Sequence, residues 1–445
     1  MQQTDHKLSF LPIGLMLFAL FFGAGNLIFP ASMGQAAGEN VWWALLGFCI
    51  TGVGLPLLAV MSIGYSGKLA LQQVASRIDP RYAIFYTVVC YMSIGPCFAV
   101  PRTGTVSYEI AIRPFLSEEA AGYSLPIFLA IFFGVSGWLA ASPNKLVDRI
   151  GKYLTPALVL TLVIFIVQSF ISPLGTPQAP AAPYATPGKA VIQGILDGYN
   201  TLDAIAALVF ASLVIHAVNY LGIIEQKRVT IEVYKAGFVA GPLLAVIYIF
   251  IAKIGAESVT AIGMQDTGAP ILAESAKIFF GYGGAILLSI MVLLACLTTC
   301  IGLISCCASF IKELTGKLSY IGWVIVFTVV SYLIGLFGLK TIIVSTIPVL
   351  MFIYPLCVAL VCLIFLHKFF GGRRCVYAWT IGFTFVMALY NGLQTAQIAL
   401  GGLDAILANW IPLHRYGLGW IPLAIVGFVI GLIHKAVVPN GKVVD

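Results

Sequence analysis

Two glycines and an asparagine interrupt the first long apolar stretch of the chain, in the run FFGAGN at residues 21–26. Glycines at this spacing often serve close packing between helices, and that alternative stays open on the glycines alone. Asn26 favours another interpretation, because irregular backbone and polar groups survive inside a membrane only where they face a cavity or a ligand. We predict an unwound segment here, near the middle of helix 1.

A second interruption falls in the sixth apolar stretch, where DGYNTLD at residues 197–203 precedes the apolar run 204–208. Helix 6 could instead begin at Asp203, with that side chain as its N-cap at the outer interface. Only about 17 residues would then remain before Tyr220, close to the lower limit for a membrane span. A start near Pro187 gives a helix long enough to contain a break, and we predict one.

A pair of threonines lies in the run ACLTTC at residues 295–300. Hydroxyl groups inside a helix often bond back to the carbonyl four residues earlier, which is the structural alternative for Thr298 and Thr299. The functional interpretation is a sodium site, because a hard cation is bound by several oxygens, and hydroxyls with helix-break carbonyls can supply about five of them.

Asp203 is an ionisable residue in a predicted membrane region, where burying a charge costs about 2.5–3.5 kcal/mol on insertion scales. Two functional roles fit this carboxylate: a partner for a substrate ammonium or coupling cation, or a proton acceptor. A helix cap at the start of the second half of helix 6 is the structural alternative.

The elements that position these residues are membrane helices. The chain is 60% hydrophobic and only 9% charged, whereas soluble domains carry about 25% charged residues. Apolar stretches of about 20 residues span a bilayer, and the third, sixth and eighth stretches are long enough to require tilting or breaking. We predict an all-α polytopic membrane protein with twelve spans at 9–32, 41–63, 82–112, 124–141, 152–171, 191–220, 236–254, 282–310, 319–337, 341–366, 375–398 and 417–435.

The basic residues give the orientation. Numbering the loops from a cytoplasmic N-terminus places 17 of the 24 lysines and arginines on the cytoplasmic side, and positive residues accumulate on that side. We therefore predict that both termini are cytoplasmic. The cytoplasmic set is Lys7, Lys68, Arg77, Arg81, Lys145, Arg149, Lys152, Lys227, Arg228, Lys235, Lys312, Lys317, Lys368, Arg373, Arg374, Lys435 and Lys442.

The two predicted breaks lie five spans apart, so helices 1 and 6 run in opposite directions. An inverted repeat of five helices has this property, and its binding site lies at the midplane between the broken helices. Free amides after Gly25, at the positive end of a half-helix, suit a carboxylate. Unwound carbonyls near Gly198 to Asn200 suit an ammonium group or a cation. The two breaks together predict a site for an α-amino acid.

Other classes of function find little support in the sequence. The ten cysteines form no CxxC pair and have no histidine at metal spacing, so we interpret them as small buried hydrophobes. A nucleotide-binding P-loop is absent, and we expect no cofactor and no nucleic-acid partner. An enzyme would require clustered catalytic groups, whereas His216 is the only histidine well inside a span. A channel would favour repeated polar rings rather than two unlike broken helices.

Four segments closely resemble the bacterial branched-chain amino acid carriers, also called system II, the BrnQ or LIVCS family. They are LFALFFGAGNLIFP at 17–30, PRT at 101–103, GYNTLDAIAAL at 198–208 and LTTCIG at 297–302. The resemblance covers the whole chain and implies the LeuT-type fold of the APC superfamily in one transporter domain, 1–445. It also implies uptake of leucine, isoleucine and valine across the bacterial cytoplasmic membrane. The implied parts are a first repeat at 9–171, a second at 191–366 and two extra helices at 375–435.

The resemblance also implies roles for residues at the two breaks. In sodium-coupled transporters of that fold, the glycine-rich segment of helix 1 binds the substrate carboxylate through its amides. Here the amides of Ala24 and Gly25 would take that role, the Phe21 carbonyl would meet the ammonium group, and Asn26 would add an oxygen to a first ion site. The residues of helix 6 implied to line the substrate are Tyr199, Asn200, Thr201 and Asp203.

A second sodium site is implied between helices 1 and 8. Its oxygens would be the carbonyls of Ala19, Phe22 and Ala295 and the hydroxyls of Thr298 and Thr299. Proton-coupled relatives can place a lysine in helix 5 at this position, but residues 158–167 contain no ionisable side chain. Na⁺ is therefore the expected coupling ion, and coupling to protons remains the alternative.

Two positions depart from the pattern of those relatives. Ile28 and Phe29 occupy the stretch that holds an outer-gate arginine in some of them, and we expect Arg102 to substitute for it at the outer vestibule. Asp203 stands where those relatives carry a small hydroxyl residue, so the first ion site would differ from theirs.

Overall fold

The computed structural model describes residues 10–142, 155–398, 401–438 and 441–444. The regular structure of these residues is helical, apart from an isolated bridge between Arg373 and Val443, so the predicted all-α class is confirmed. Several predictions fall outside the described residues: the first residue of span 1, residues 152–154 of span 5, and the basic residues Lys7, Lys145, Arg149 and Lys152.

The helices of the first half of the chain are short and often broken. They are α1 (Phe10–Phe21), α2 (Ala24–Ala37), α3 (Val41–Cys49), α4 (Leu55–Ser66), α5 (Leu71–Ala75), α6 (Pro80–Met92), α7 (Ala99–Ala111), α8 (Glu118–Ala140), α9 (Thr155–Ile171) and α10 (Pro187–Tyr199). π-Helical turns at Ile50–Gly54 and Ser93–Cys97 join α3 to α4 and α6 to α7, and 3₁₀ turns occur at Gly38–Asn40, Arg113–Phe115 and Ala182–Tyr184.

The helices of the second half are mostly longer. They are α11 (Asp203–Tyr220), α12 (Gln226–Ile262), α13 (Gly268–Thr315), α14 (Tyr320–Gly335), α15 (Leu339–Leu366), α16 (Arg374–Thr395), α17 (Leu403–Trp410) and α18 (Trp420–Val437), with a 3₁₀ turn at His414–Tyr416.

Each of the twelve predicted spans coincides with one helix or with consecutive helices among the described residues. By length and composition alone, nine helices in this described part could cross a membrane, and three shorter apolar helices match spans 1, 5 and 9. The number of spans, the two five-helix repeats and the cytoplasmic termini stay predictions.

The three long spans differ in how they bend. The third breaks at Gly95, whose backbone angles are φ −90° and ψ −126°. The sixth breaks between α10 and α11. In the eighth, the bend comes at Gly281, with φ 59°, immediately before the predicted start.

The described chain divides into two compact units, the first of which comprises Met1–Gly54, Met92–Asp203 and Tyr234–Val344. Within this unit α13 is the central helix, because it packs against α1, α2, α7, α8, α9 and α14. Buried aromatic rings fill the space around α1 and α3: Phe18 stacks on Phe22 at 5.5 Å, and Phe48 meets Tyr248 edge-on at 5.1 Å. These contacts pack the end of α1 against Phe22 at the first break and α3 against α12.

Small residues allow two pairs of helices in this unit to approach backbone to backbone. In α2 and α12, a Cβ on Gly34 would collide with the Ala252 carbonyl, and one on Gly255 with the Ala31 carbonyl. The α3 and α10 pair uses Gly47 and Gly194 in the same way. Membrane helices associate through such close packing because lipid leaves little hydrophobic driving force.

The second unit comprises Leu55–Tyr91, Ala204–Val233 and Ser345–Asp445. Phe85, Phe352 and Phe385 form an aromatic cluster with ring centroids 5.3–6.4 Å apart. Helices α16 and α18 pack closely, and the backbone of α16 approaches Gly427 and Gly431.

Large apolar side chains point outward on helices of both units. Trp138, Phe238 and Val386 are 74%, 69% and 65% exposed, respectively. Exposed apolar surface of this extent is unfavourable in water and suits lipid, which agrees with a membrane location.

We predict that Gly255→Ala lowers the thermal stability of the purified protein in detergent. Alanine is normally favoured over glycine in a helix by about 1 kcal/mol, but overpacking against Ala31 costs about 1–3 kcal/mol. Gly134→Ala is the matched control, because the space around Gly134 in α8 is open. Equal melting temperatures for both variants would contradict the close contact between α2 and α12.

Candidate functional site

The first candidate element is the break between α1 and α2. The last α-helical hydrogen bond of α1 runs from the Phe22 amide to the Phe18 carbonyl at 2.8 Å. The next residue, Gly23, is extended with φ −135° and ψ −160°. The Gly23 amide donates to Oδ1 of Asn26 at 3.0 Å. The predicted unwinding of helix 1 is therefore confirmed, and the asparagine closes the turn by capping the exposed amide.

The second element is the break between α10 and α11. Helix α10 ends at Tyr199, and α11 begins at Asp203 after Leu202, whose φ is 68°. The Thr201 hydroxyl donates a hydrogen bond to the Gly198 carbonyl at 2.9 Å and accepts one from the Asp203 amide at 3.3 Å. The predicted break of helix 6 is confirmed. The alternative, a helix that starts only at Asp203, is wrong because α10 precedes it.

Three buried side chains join the two breaks. Nδ2 of Asn26 donates to Oδ2 of Asp203 and to the hydroxyl of Tyr248, both at 2.5 Å, and the Tyr248 hydroxyl donates to the same carboxylate oxygen at 3.0 Å. Asn26 is 1% exposed and Asp203 is 3% exposed. Because Asn26 also accepts the Gly23 amide, both ends of its side chain are engaged in holding the two breaks together.

Tyr248, on α12, was missed by the sequence analysis. It lies in the apolar run VIYIF at 246–250, where a tyrosine resembles any core aromatic residue. Its hydroxyl becomes informative only once the fold places it beside Asp203.

The substrate-lining residues predicted on the two breaks come together. A Cβ on Gly25 would lie 3.2 Å from Cα and from the carbonyl oxygen of Thr201, so α2 begins directly against the unwound part of helix 6. Ala24, Thr201 and Tyr199 are buried, and Phe21 is the last residue of α1.

Arg102 requires a correction. We expected this residue at an outer vestibule, but its side chain is 3% exposed and lies inside the protein at the break of helix 6. Nη1 donates to the Asn200 carbonyl at 2.7 Å, and Nη2 donates to the Thr201 carbonyl at 3.2 Å. The guanidinium lies 5.0 Å from the centre of the Phe29 ring. The physical reason is that carbonyls at the end of α10 lack helical partners and attract a buried donor.

The threonine pair faces two ways. The Thr298 hydroxyl bonds back to the Ala295 carbonyl at 2.8 Å, whereas the Thr299 hydroxyl donates to the Phe22 carbonyl in the helix 1 break at 3.3 Å. A Cβ on Gly23 would lie 2.8 Å from the Thr299 hydroxyl oxygen. Ala19 is buried in α1, one turn before Phe22.

These five residues supply three carbonyl and two hydroxyl oxygens, a neutral, hard donor set that fits the chemistry of a monovalent cation such as Na⁺. Thr299 brings α13 to the carbonyl of Phe22, and Thr298 makes a local bond like the structural alternative, but to the carbonyl three residues earlier rather than four. The assignment of the five oxygens to an ion stays a prediction.

A cavity of about 300 Å³ lies beside the two breaks, at the lower end of the usual size of ligand pockets, about 300–1,000 Å³. Its lining combines six apolar residues with seven polar or charged ones. The lining residues are Ile28, Phe29, Ser32, Met33, Ala36, Tyr184, Asp197, Asn200, Asp266, Thr267, Lys340, Ile343 and Val344.

Two carboxylates on the cavity wall are already paired, and the sequence analysis did not single out either as a site residue. Asp197 accepts from the Tyr184 hydroxyl at 2.5 Å and from Nε2 of Gln193 at 3.0 Å. Asp266 and Lys340 form an exposed ion pair at 2.7 Å.

Comparison with known proteins places this arrangement in context. The family model described as "Branched-chain amino acid transport protein" matches residues 6–438. The chain is 43% identical over 421 residues to the branched-chain amino acid permease BrnQ of Bacillus subtilis, covering 95% of each chain. It is 38% identical over 429 residues to the permease of the same name from Lactobacillus delbrueckii, covering 95% of this chain and 96% of the relative.

Solved structures support the same fold at low sequence identity. The transporter MHP1, of the nucleobase-cation-symport-1 family, matches with a TM-score of 0.60 at 15% identity, over 98% of this chain and 93% of that chain. MhsT in complex with L-phenylalanine matches with a TM-score of 0.55 at 16% identity, over 97% of this chain and 99% of that chain. The predicted LeuT-type fold is confirmed.

Proposed function

Because the chain belongs to the branched-chain amino acid transport protein family, we propose that it imports leucine, isoleucine and valine, coupled to Na⁺, by alternating access. The family consists of membrane transporters and not of enzymes. Bacterial relatives and the helical fold place the protein in the cytoplasmic membrane as a multi-pass protein. The observation that carries the proposal is the meeting of two broken helices, joined by Asn26, Asp203 and Tyr248.

The two breaks offer complementary groups for a zwitterion. The amides of Ala24 and Gly25 lie at the start of α2, where free N–H groups and the positive end of the helix attract a carboxylate. The Phe21 carbonyl at the end of α1 and the Asp203 carboxylate attract an ammonium group. These groups bind the carboxylate and the ammonium group, which all α-amino acids share. Selectivity among amino acids therefore depends on the contacts of the substrate side chain.

An aliphatic side chain suits the surroundings. The apolar residues that line the cavity beside the breaks are Ile28, Phe29, Met33, Ala36, Ile343 and Val344. The charged residues Asp266 and Lys340 on the same wall already pair with each other, so a third charge on the substrate would have to displace that pair or lose its hydration. This supports leucine, isoleucine and valine over lysine or glutamate.

The proposed coupling acts through the helix 1 break. Sodium bound by Ala19, Phe22, Ala295, Thr298 and Thr299 would hold the Phe22 carbonyl in place. Ala24 and Gly25 follow within the same short segment, so fixing Phe22 also orients the amides that receive the substrate. Each ligand would therefore bind more tightly when the other is present, as linkage requires.

Proton coupling is the second candidate, and one observation favours it. Asp203 is a buried carboxylate whose bonded partners, Asn26 and Tyr248, are neutral. A carboxylate with neutral partners inside a membrane can take up and release a proton during a transport cycle.

We predict that proteoliposomes containing the protein accumulate labelled leucine when an inward sodium gradient is imposed. Isoleucine and valine should compete strongly, because one methylene changes affinity by only about 1–3 kcal/mol, whereas lysine and glutamate should not. A proton gradient applied alone is the control for the coupling ion. Strong competition by a charged amino acid would contradict the proposed substrate class.

We predict that Thr298→Ala and Thr299→Ala each raise the sodium concentration that gives half-maximal uptake. Each variant removes one hydroxyl oxygen from the proposed site, and the larger shift is expected for Thr299, which reaches Phe22. Thr384→Ala is the matched control, because this buried threonine bonds back to the Thr380 carbonyl at 2.7 Å. Unchanged sodium dependence in both site variants would contradict the proposed ion site. The two hydroxyls would then serve only their hydrogen bonds to the Ala295 and Phe22 carbonyls.

We predict that Asp203→Asn reduces uptake steeply while the protein still inserts and purifies normally. Asparagine keeps the size of the side chain and an oxygen for Asn26, but removes the charge and the titratable group. If protons are coupled through Asp203, the variant also loses the pH dependence of uptake. Asp79→Asn, which removes a carboxylate paired with Arg374, is the control. Near-normal uptake by Asp203→Asn would reduce this residue to a structural role.

A further inference from the structure

Arg102 is a buried cation at the centre of the proposed substrate site. It lies in α7, which begins after the bend at Gly95, and its side chain is 3% exposed. A charged group placed inside a membrane is costly, and arginines there face the protein interior and serve function. The Pro101-Arg102-Thr103 segment was noted for its resemblance to the carrier family, but that resemblance does not assign the arginine a ligand.

The guanidinium is positioned by three neighbours, two in the break of helix 6 and one in α2. The Asn200 and Thr201 carbonyls accept from Nη1 and Nη2 at 2.7 and 3.2 Å. The ring of Phe29, in α2, lies 5.0 Å below the guanidinium carbon. A planar, forked donor held in this way presents a fixed direction for further hydrogen bonds, which suits a carboxylate.

Gly25 brings the guanidinium against the first turn of α2. A Cβ at this position would lie 2.8 Å from Nη2 of Arg102. The glycine thus removes the atom that would separate the arginine from the amides of Ala24 and Gly25. A cation and the positive end of a helix then face one small region, and like charges of this kind favour an anion between them.

The cavity reaches two of the residues that position the guanidinium. Phe29 and Asn200, which hold the guanidinium, both line the cavity of about 300 Å³. On the other side of the helix 6 break, Asp203 is held by Asn26 and Tyr248. A buried cation, Arg102, and a buried anion, Asp203, therefore lie at the break. The cation suits the carboxylate of a zwitterion, and the anion suits its ammonium group.

We propose that Arg102 binds the carboxylate of the transported amino acid, together with the amides at the start of α2. The inference rests on the proposed function and adds the residue that makes the α-carboxylate a requirement. Selectivity for an amino acid over an amine of the same shape then comes from Arg102, whereas the apolar residues of the cavity account for the aliphatic side chain.

The experiment measures the affinity of purified protein for leucine and for leucinol, which keeps the amine and the side chain but lacks the carboxylate. Arg102→Gln should weaken leucine binding about 10- to 150-fold, the usual worth of a hydrogen bond to a charged group. Its affinity for leucinol should change by less than about twofold, since the lost partner is absent. Arg113→Gln is the control: Arg113 follows α7 and pairs with Glu109 at 3.7 Å, and both affinities should be unchanged.

A merely structural role gives a different result. If Arg102 only supports the break of helix 6, Arg102→Gln weakens leucine and leucinol binding by the same factor, and the inference is overturned. Equal affinity of the wild-type protein for the two ligands also overturns it, while leucine uptake by proteoliposomes still supports the proposed function. If the wild-type protein binds none of leucine, isoleucine and valine, the proposed function fails and the inference falls with it.

Arg102→Lys keeps the test decisive if Arg102→Gln does not fold. Lysine retains the charge and can still donate to the break carbonyls from its single nitrogen, but it loses the forked geometry. We expect weaker leucine binding and unchanged leucinol binding. Wild-type affinity for both ligands in Arg102→Lys would show that the fork is not used, and would overturn the proposal.

Discussion

The structure depends on how it satisfies the backbone groups that two broken helices leave inside an apolar environment. Each helix end leaves up to four amides or four carbonyls without helical partners, and an unsatisfied group away from water costs several kcal/mol. Here Asn26 accepts the Gly23 amide, and Arg102 donates to the Asn200 and Thr201 carbonyls. Charged residues make up only 9% of the chain, and the polar side chains that stabilise the breaks are also the ones that the proposed function gives to a ligand.

This double use of the same side chains links stability to recognition. Asn26 bonds to its own break through Oδ1 and to Asp203 in the other break through Nδ2. A displacement of α2 therefore breaks hydrogen bonds on both helices and leaves a buried carboxylate with fewer partners, which is costly. In the proposed cycle, a substrate ammonium group near Asp203 could replace such a lost bond and lower the cost of the displacement.

The sequence located both breaks, because glycine and amide side chains in an apolar run have few structural explanations. It also paired Thr299 with the Phe22 carbonyl through a family resemblance. It could not find Tyr248, since a tyrosine among aliphatic residues has the pattern of a core residue. It misplaced Arg102 because sequence gives the depth of a residue in a span but not the neighbour that it faces. The packing at Gly255 escaped notice because its partner, Ala31, is more than 200 residues away in the chain.

Gly23 and Gly25 explain why one short segment can respond to two ligands. A Cβ at Gly23 would meet the Thr299 hydroxyl, and one at Gly25 would meet the Arg102 guanidinium, each at 2.8 Å. The two glycines thus bring one segment against α13 on one side and α7 on the other. In the proposed function, the α13 side holds the ion and the α7 side holds the carboxylate. Because only one residue, Ala24, separates Gly23 from Gly25, the backbone between them has little freedom to absorb a change at one contact without moving the other. Coupling between ion and substrate then requires no long pathway, only the short segment from extended Gly23 into the first turn of α2, which contacts α13 on one side and α7 on the other.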